Sequence, residues 1–377
     1  MARSDDPYVL PNGTLRNKLG ATTPEQLSIL ETNLSTVRAR AIAVSLPGPP
    51  FTFEMLRDIH RSLFQDVYEW AGEARTTTLA KREFDDPRSA MQTFAPPEAI
   101  EPRMKAAFAL LAARSNLERL STSDFGQGAA ELLAALNHVH FAREGNGRTN
   151  RLLLSAVASN AGHELDFSIV TRERMVAVSI QSHKGDISGM RRMFDEMLDP
   201  RQLQAMRRVT SFLRTTPVPW NDLYVATTRA GQDYRGTLVQ RAGQDFLMRV
   251  DNGKEAQLLV GDAADLPADV SNKSQVALRA TQFPLPAQAT LPKAPAVESS
   301  TAAAKPRQGV AEAILSSMQP AASRPPTAPD PAGIELGQRL QALEEKLASA
   351  RRKPLVAEEA EPEMPEETPR PSIGPRP

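Results

Sequence analysis

The chain contains no cysteine. That excludes disulfides and thiolate-held metal sites, and it fits a reducing compartment such as the cytoplasm. Net charge is absent too: 45 basic residues balance 45 acidic ones. A general polyanion binder is therefore not indicated, and nucleic acid is not indicated as a partner. No apolar run approaches the ~18 residues of a spanning helix, so no membrane span is expected. The opening residues, Met-Ala-Arg-Ser-Asp-Asp-Pro-Tyr, hold no apolar signal region. No Gly-x-x-x-x-Gly-Lys-(Ser/Thr) occurs, which excludes a P-loop site. After Gly145-Asn146-Gly147, Asn150 stands where a dinucleotide fingerprint needs its third glycine.

What is present is concentrated in one stretch, His140-Phe141-Ala142-Arg143-Glu144-Gly145-Asn146-Gly147-Arg148-Thr149-Asn150-Arg151, between two apolar helical runs. Glycines let backbone N–H groups approach a ligand without a Cβ in the way. A helix start after them adds the positive end of a dipole. Arg148 and Arg151, three apart, fall on one face of that helix and can fork onto phosphate oxygens. Glu144, a carboxylate among cations beside phosphates, suggests a Mg²⁺ ligand. An imidazole with an ordinary pKa near ~6.5 makes His140 a natural general base. Together these parts describe transfer of a nucleotide phosphate to a hydroxyl.

The stretch resembles the active-site motif of the Fic family, His-Pro-Phe-x-(Asp/Glu)-Gly-Asn-Gly-Arg-x-x-Arg. The His, the acid, Gly-Asn-Gly-Arg and the final Arg all stand at the family spacing. Phe141 replaces the proline, and Ala142 replaces the phenylalanine that anchors the loop in family members. The resemblance implies protein adenylyltransferase activity: AMP moves from ATP to a Tyr, Thr or Ser hydroxyl of a target protein. It assigns His140 as base and Glu144 to Mg²⁺ across the α- and β-phosphates. Asn146, with the amides of Gly145 and Gly147, would form the anion hole for the α-phosphate. Arg148 would take the leaving pyrophosphate and Arg151 the γ-phosphate. Relatives that transfer a phosphate from the opposite nucleotide orientation alter the Gly-Arg of the hole; Gly147-Arg148 is intact here. UMP, CMP or phosphocholine transfer stays open, because nothing in the motif reads a base. A non-catalytic scaffold is the reading from a different class, with Ala142 in its favour and the surviving reactive residues against it. By resemblance alone, the targets would be type II topoisomerases or host GTPases, and the protein would act in the cytoplasm or be secreted or passed into a recipient cell.

The flanking segments carry further resemblance. Residues 8–20 read as an extended arm like the Tyr-x-x-Pro…Leu-x-Asn-Lys-Leu-Gly arms that open many Fic proteins. Asp66 to Arg75 resembles the Tyr-x-Trp-Ala-Gly-x-x-Arg segment before the family's flap. The β-branched Thr76-Thr77-Thr78 is then expected as the strand of a hairpin flap that docks the target backbone, the plainer alternative being a surface loop. Thr23-Pro24-Glu25-Gln26 is a helix start. The apolar spacing predicts helices over 24–44, from 52, over 96–115, from 123 into the motif, after 151, and over about 171–183 and 186–198. An all-α unit should end near Pro200, giving a Fic domain over 1–200.

Beyond Pro217 the pattern turns to period two. Segments near 234–239, 245–250, 256–260 and 275–278 read as strands, with Asp251-Asn252-Gly253 as a hairpin turn. A small OB- or SH3-like barrel is expected over 216–282. Residues 283–377 follow with linker composition: 17 of the 31 prolines lie from Pro284 onward, so this tail should be largely disordered. Val310–Met318 could form a brief helix. The leucines of 334–353 suggest a short helix, left open between a lone helix, a docking helix and a coiled-coil seam. The overall expectation is a mainly α chain: a Fic bundle with a flap, a small β-barrel and a disordered Pro-rich tail. Many Fic enzymes are silenced by a (Ser/Thr)-x-x-x-Glu-(Gly/Asn) helix whose glutamate pairs with the second motif arginine. Glu144 alone is followed by Gly or Asn, and it belongs to the motif. The resemblance therefore implies a separate small antitoxin carrying that glutamate.

Overall fold

The computed structural model describes residues 6–82, 90–251 and 256–283. The expected helices at 310–318 and 334–353, the Pro-rich tail and the Asn252-Gly253 turn lie outside the described residues. The chain divides into units Met1–Arg324 and Pro325–Pro377, and everything described belongs to the first.

Helices dominate the first two-thirds. α1 (Pro24–Val44) begins as its sequence dictates: Thr23 caps the N–H of Gln26, and Pro24 opens the helix where its missing N–H costs nothing. α2 (Phe53–Phe64) is capped by Thr52 and turns Leu56, Ile59, His60 and Leu63 inward. α3 (Pro97–Ala113), α4 (Thr122–Val139) and α5 (Asn146–Asn160) follow, then α6 (Arg172–His183) and α7 (Ser188–Leu198). α4 and α5 form the middle of the bundle. Phe125, Leu136, Leu152, Leu153, Leu154 and Val157 are all fully buried. Gly162, at φ +82°, ends α5 in the left-handed conformation its composition suggests.

Two features differ from expectation. The helical unit does not end near Pro200. That proline opens α8 (Pro200–Arg214), with Asp199 accepting from the N–H groups of Arg201 and Gln202. Asp-Pro there is an N-cap and first turn rather than a stop. The flap strand also lies further on than the three threonines. Thr76 and Thr77 form bends and Thr78 is irregular, whereas β1 (Ala80–Arg82) pairs antiparallel with β2 (Met91–Thr93). Thr76 cannot extend the ladder because its N–H is donated to the Tyr8 hydroxyl at 3.0 Å.

A five-stranded mixed sheet closes the described chain: β3 (Tyr224–Thr227), β4 (Asp233–Ala242), β5 (Asp245–Asp251), β6 (Ala256–Asp262) and β7 (Gln275–Arg279), in the order β3-β6-β5-β4-β7. β3 runs parallel to β6 and the remaining pairs are antiparallel. The long β4 pairs with β7 through its first half and with β5 through its second. β3 was not legible in the sequence, because its partners lie far along the chain: β6, and charges on distant helices. Arg174 donates to the Val225 carbonyl at 3.2 Å, and Glu196 accepts from the Thr227 N–H and hydroxyl. Arg174 and Glu196 are themselves paired at 2.5 Å in full burial. A second buried pair, Arg201 with Asp245 at 2.6 Å, ties α8 to β5.

Candidate active site

The motif loop runs from the last residue of α4 to the first turn of α5. His140 ends α4 in the left-handed conformation, φ 52° and ψ 66°, with its N–H still bonded to the Leu136 carbonyl at 2.9 Å. That turn presents the imidazole sideways against the flap, where it stacks on Phe94 at 4.1 Å. Its Nε2 is buried and has no hydrogen-bond partner among the described residues. Burial, and then the Lys81 ammonium, push its pKa down to about 3, so the ring is neutral near pH 7. A buried ring nitrogen without a partner is uncommon, which makes Nε2 a candidate contact for a ligand.

Phe141 takes over the anchoring that the family assigns to the next position. Its ring is fully buried, edge-on to Phe53 at 5.5 Å and to His60 at 5.4 Å. Ala142 is buried beside it and needs only its backbone: its N–H donates to Asn146 Oδ1 at 3.0 Å, and its carbonyl accepts from Asn146 Nδ2 at 2.7 Å. Both ends of the Asn146 side chain are therefore occupied within the loop. These bonds make the side chain a brace of the loop, and they use one of the two Nδ2 hydrogens. The Gly145 N–H is likewise engaged, donating to Glu144 Oε1 at 3.0 Å. The first intrahelical bond of α5 is Thr149 N–H to the Gly145 carbonyl. The N–H groups of Asn146, Gly147 and Arg148 precede it and form the positive end of the helix.

Glu144 keeps a third of its side chain exposed and lies 3.9 Å from Lys81 on the flap. Burial works to raise its pKa, but Lys81 and Arg148 outweigh it and hold the carboxyl down at about 2. The group is thus ionised, partly accessible and beside the helix N-terminus. Mg²⁺ commonly takes one or two protein carboxylates together with substrate phosphates, and Glu144 fits that demand.

The two motif arginines diverge. Arg151 lines a cavity of about 280 Å³ with His140, Gly147, Lys81, Phe94 and Asn137. Its Nε is buried without a partner among the described residues, and burial lowers its pKa to about 10. Arg148 instead faces α1 and α2. Its guanidinium pairs with Glu31, donates to Ser35 Oγ at 3.0 Å and lies 4.7 Å over the Phe64 ring. The two side chains thus have different partners, while Arg148 stays near enough to help lower the Arg151 pKa. His138 is exposed, within 3.4 Å of Arg103 and stacked on His183, away from the cavity.

Two further residues hold the site, and neither was singled out in the sequence. His60 Nε2 donates to the Glu144 carbonyl at 2.9 Å while Nδ1 accepts from the Gly72 N–H at 2.8 Å, a pairing that fixes a neutral tautomer. Burial brings its pKa down to about 4. Arg75 is buried and donates to four carbonyls, those of Thr77, Ala95, Val139 and His140. It joins the flap root to the motif loop. The N-terminal arm clasps the same region through Asp6 to Arg143 at 2.9 Å and Tyr8 to Thr76. A histidine 84 residues from its partner leaves no local pattern. Arg75 had a signal in the Trp-Ala-Gly-x-x-Arg segment, but not one that told its role.

Residues 50–158 match the model of the Fic/DOC family. A probable protein adenylyltransferase, y4lH, of Sinorhizobium fredii is 37% identical over 187 residues, covering 49% of this chain and 91% of that one. A protein adenylyltransferase of Bartonella henselae is 31% identical over 282 residues, 70% of this chain. This chain spans about half, 49%, of that relative's length. Among solved structures, the type IV secretion system effector protein BepA superposes with a TM-score of 0.63 at 27% identity, over 73% of this chain and 96% of that one. The chain belongs to the Fic/DOC family.

Proposed function

We propose that this protein is an adenylyltransferase that moves AMP from ATP to a hydroxyl side chain of another protein. The observation that carries the reading is the unpartnered, buried Nε2 of His140 in the wall of the cavity that Gly147 and Arg151 also line. The names of the relatives support it. In the reaction, the target hydroxyl oxygen attacks the α-phosphorus and its proton passes to His140 Nε2. The bond from the α-phosphorus to the bridging oxygen breaks, and pyrophosphate leaves. The N–H groups at the positive end of α5, where Gly147 lines the cavity, would meet the charge that develops, and being fixed in advance they need no reorganisation. Arg151 takes the γ-phosphate end. Glu144 would hold Mg²⁺, which supplies a Lewis acid for the phosphates when bound.

The flap strands β1 and β2 are the edge on which a target segment docks. Thr76–Thr78 lie at the flap's root, and Tyr8 sets their position. The target is a protein with an accessible Tyr, Thr or Ser. A topoisomerase or GTPase is carried over by resemblance only. We read the 224–279 sheet as an OB-like module; a long strand that pairs with one neighbour through its first half and another through its second, as β4 does, supports strong curvature. The BepA likeness supports a secreted or transferred protein. A separate small helical antitoxin is proposed to restrain it, its glutamate pairing with Arg151, whose guanidinium makes no hydrogen bond or ion pair among the described residues. Mass spectrometry after incubation with lysate, ATP and Mg²⁺ tests the activity: a target gains one AMP residue with wild type and not with His140→Ala. Gain of UMP or CMP instead, when UTP or CTP is supplied, would move the substrate within the class. No adduct under any nucleotide would overturn the reading.

A further inference from the structure

Arg148 is held by side chains of another helix. Glu31 and Ser35 stand one turn apart on α1. Glu31 pairs with Nη2, and Ser35 Oγ accepts from Nη1 at 3.0 Å. The Phe64 ring lies beneath the guanidinium. Glu31 is fixed in turn: the Tyr68 hydroxyl donates to its other oxygen at 2.9 Å, and Tyr68 stacks on Trp70 at 4.2 Å. The Glu31 side chain is only 9% exposed. A buried ion pair contributes little to stability over an apolar pair of the same shape, because desolvation consumes the attraction. Geometry is what such a pair sets. Of the five N–H groups of a guanidinium, Glu31 and Ser35 occupy two and leave three. Arg148 stands in the first turn of α5, next to Gly147, which lines the cavity.

We propose that Glu31, with Ser35, is a positioning residue that holds Arg148 in advance so that its remaining N–H groups meet the pyrophosphate part of bound ATP. The inference rests on the nucleotide reading of the site. Holding one long side chain in place before binding removes an ordering cost from the binding step. Its loss should weaken ATP roughly three- to tenfold. AMP has no pyrophosphate and should not respond. Nor should Glu31 matter once Arg148 is gone.

The test is calorimetric binding of ATP and of AMP, with Mg²⁺, to the full chain as wild type, Glu31→Gln, Ser35→Ala, Arg148→Ala and the Glu31→Gln/Arg148→Ala double variant. Circular dichroism verifies each fold. The expected result is an ATP-selective loss for Glu31→Gln, a smaller loss in the same direction for Ser35→Ala, and no further loss from Glu31→Gln in the Arg148→Ala background. Steady-state KM for ATP should rise with kcat little changed. Unchanged or tighter ATP binding by Glu31→Gln, with wild type binding normally, overturns this inference alone; tighter binding would mean that Glu31 competes with the phosphates. Equal loss of ATP and AMP also overturns it, as the mark of a merely structural role. Wild type that binds neither nucleotide overturns the nucleotide reading and this inference with it. If Glu31→Gln fails to fold, Ser35→Ala decides by the same ATP-against-AMP comparison.

Discussion

The two glycines of Gly145-Asn146-Gly147 should respond to alanine with opposite signs. Gly145 sits at φ +87°, and a Cβ built there lies 2.4 Å from the Phe64 ring and 3.1 Å from His60 Nε2. The left-handed backbone alone costs an L-residue about 1–2 kcal/mol. Forcing a methyl into a filled core adds about 1–3 kcal/mol. Any shift that relieves the clash stretches the His60 bond to the Glu144 carbonyl, worth about 0.5–1.5 kcal/mol. Gly145→Ala should therefore destabilise by roughly 3–6 kcal/mol, which in a domain of this size lowers Tm by on the order of 10–20 °C. Gly147 is inside the first turn of α5, and a Cβ there meets nothing nearer than Arg151 Nη1 at 3.8 Å. Alanine at a compatible helical glycine stabilises by about 0.4–1 kcal/mol. Gly147→Ala should thus melt at or slightly above the wild-type temperature. It should nevertheless bind ATP more weakly, because the methyl projects from the cavity wall. Thermal melts of both variants and of wild type, alongside ATP titrations, read both effects. A Gly145→Ala protein within about 1 kcal/mol of wild type, or a Gly147→Ala protein destabilised by more than that, would refute the packing argument.

Other perturbations have equally definite outcomes. Glu144→Gln keeps the shape of the side chain and removes its charge, so the Mg²⁺ concentration for half-maximal transfer should rise; an unchanged titration removes the metal role. Arg75→Ala leaves four carbonyls without their donor and should destabilise by about 3 kcal/mol or more, with faster hydrogen exchange in both flap and motif loop. Arg75→Lys should not rescue it, since an ammonium cannot span all four carbonyls. His60 and His140 are held neutral, at about 4 and about 3, below the ordinary histidine value. The unfolded chain takes up those protons first as pH falls. Stability should therefore be full above about pH 6.5 and decline towards pH 4, by up to ~1.4 kcal/mol per pH unit for each histidine. His60→Gln should flatten that slope by about one proton, as read from denaturant unfolding across the range.

The helices were legible because their signals are local. Thr23-Pro24 and Thr52 are caps, and the apolar residues behind them recur with the helical period. The motif was legible as a cluster of chemistry for the same reason. What escaped depends on residues far apart in the chain. Pro200 reads as a stop until Asp199 is seen to cap α8. Thr76 reads as strand until Tyr8, 68 residues away, takes its N–H. Arg148 and Arg151 share a face by spacing, yet Glu31, 117 residues from Arg148, draws that side chain to α1. Asn146 looks like a free polar group in a glycine turn, and only the folded loop brings its amide onto Ala142. Spacing along a helix shows which side chains can meet, and the neighbouring element decides which do.

The central claim is that His140 drives transfer of the α-phosphate with its nucleoside, and one labelling experiment bears on it most directly. The full chain is incubated with Mg²⁺ and lysate, once with ATP labelled at the α-phosphate and once with ATP labelled at the γ-phosphate, for wild type and His140→Ala. Removing a general base typically lowers the rate ~10²–10⁴-fold. Wild type should pass the α-label and not the γ-label to a protein, and His140→Ala should pass neither while still binding ATP. Transfer of the γ-label attributable to this protein, or α-label transfer that survives His140→Ala, would contradict it.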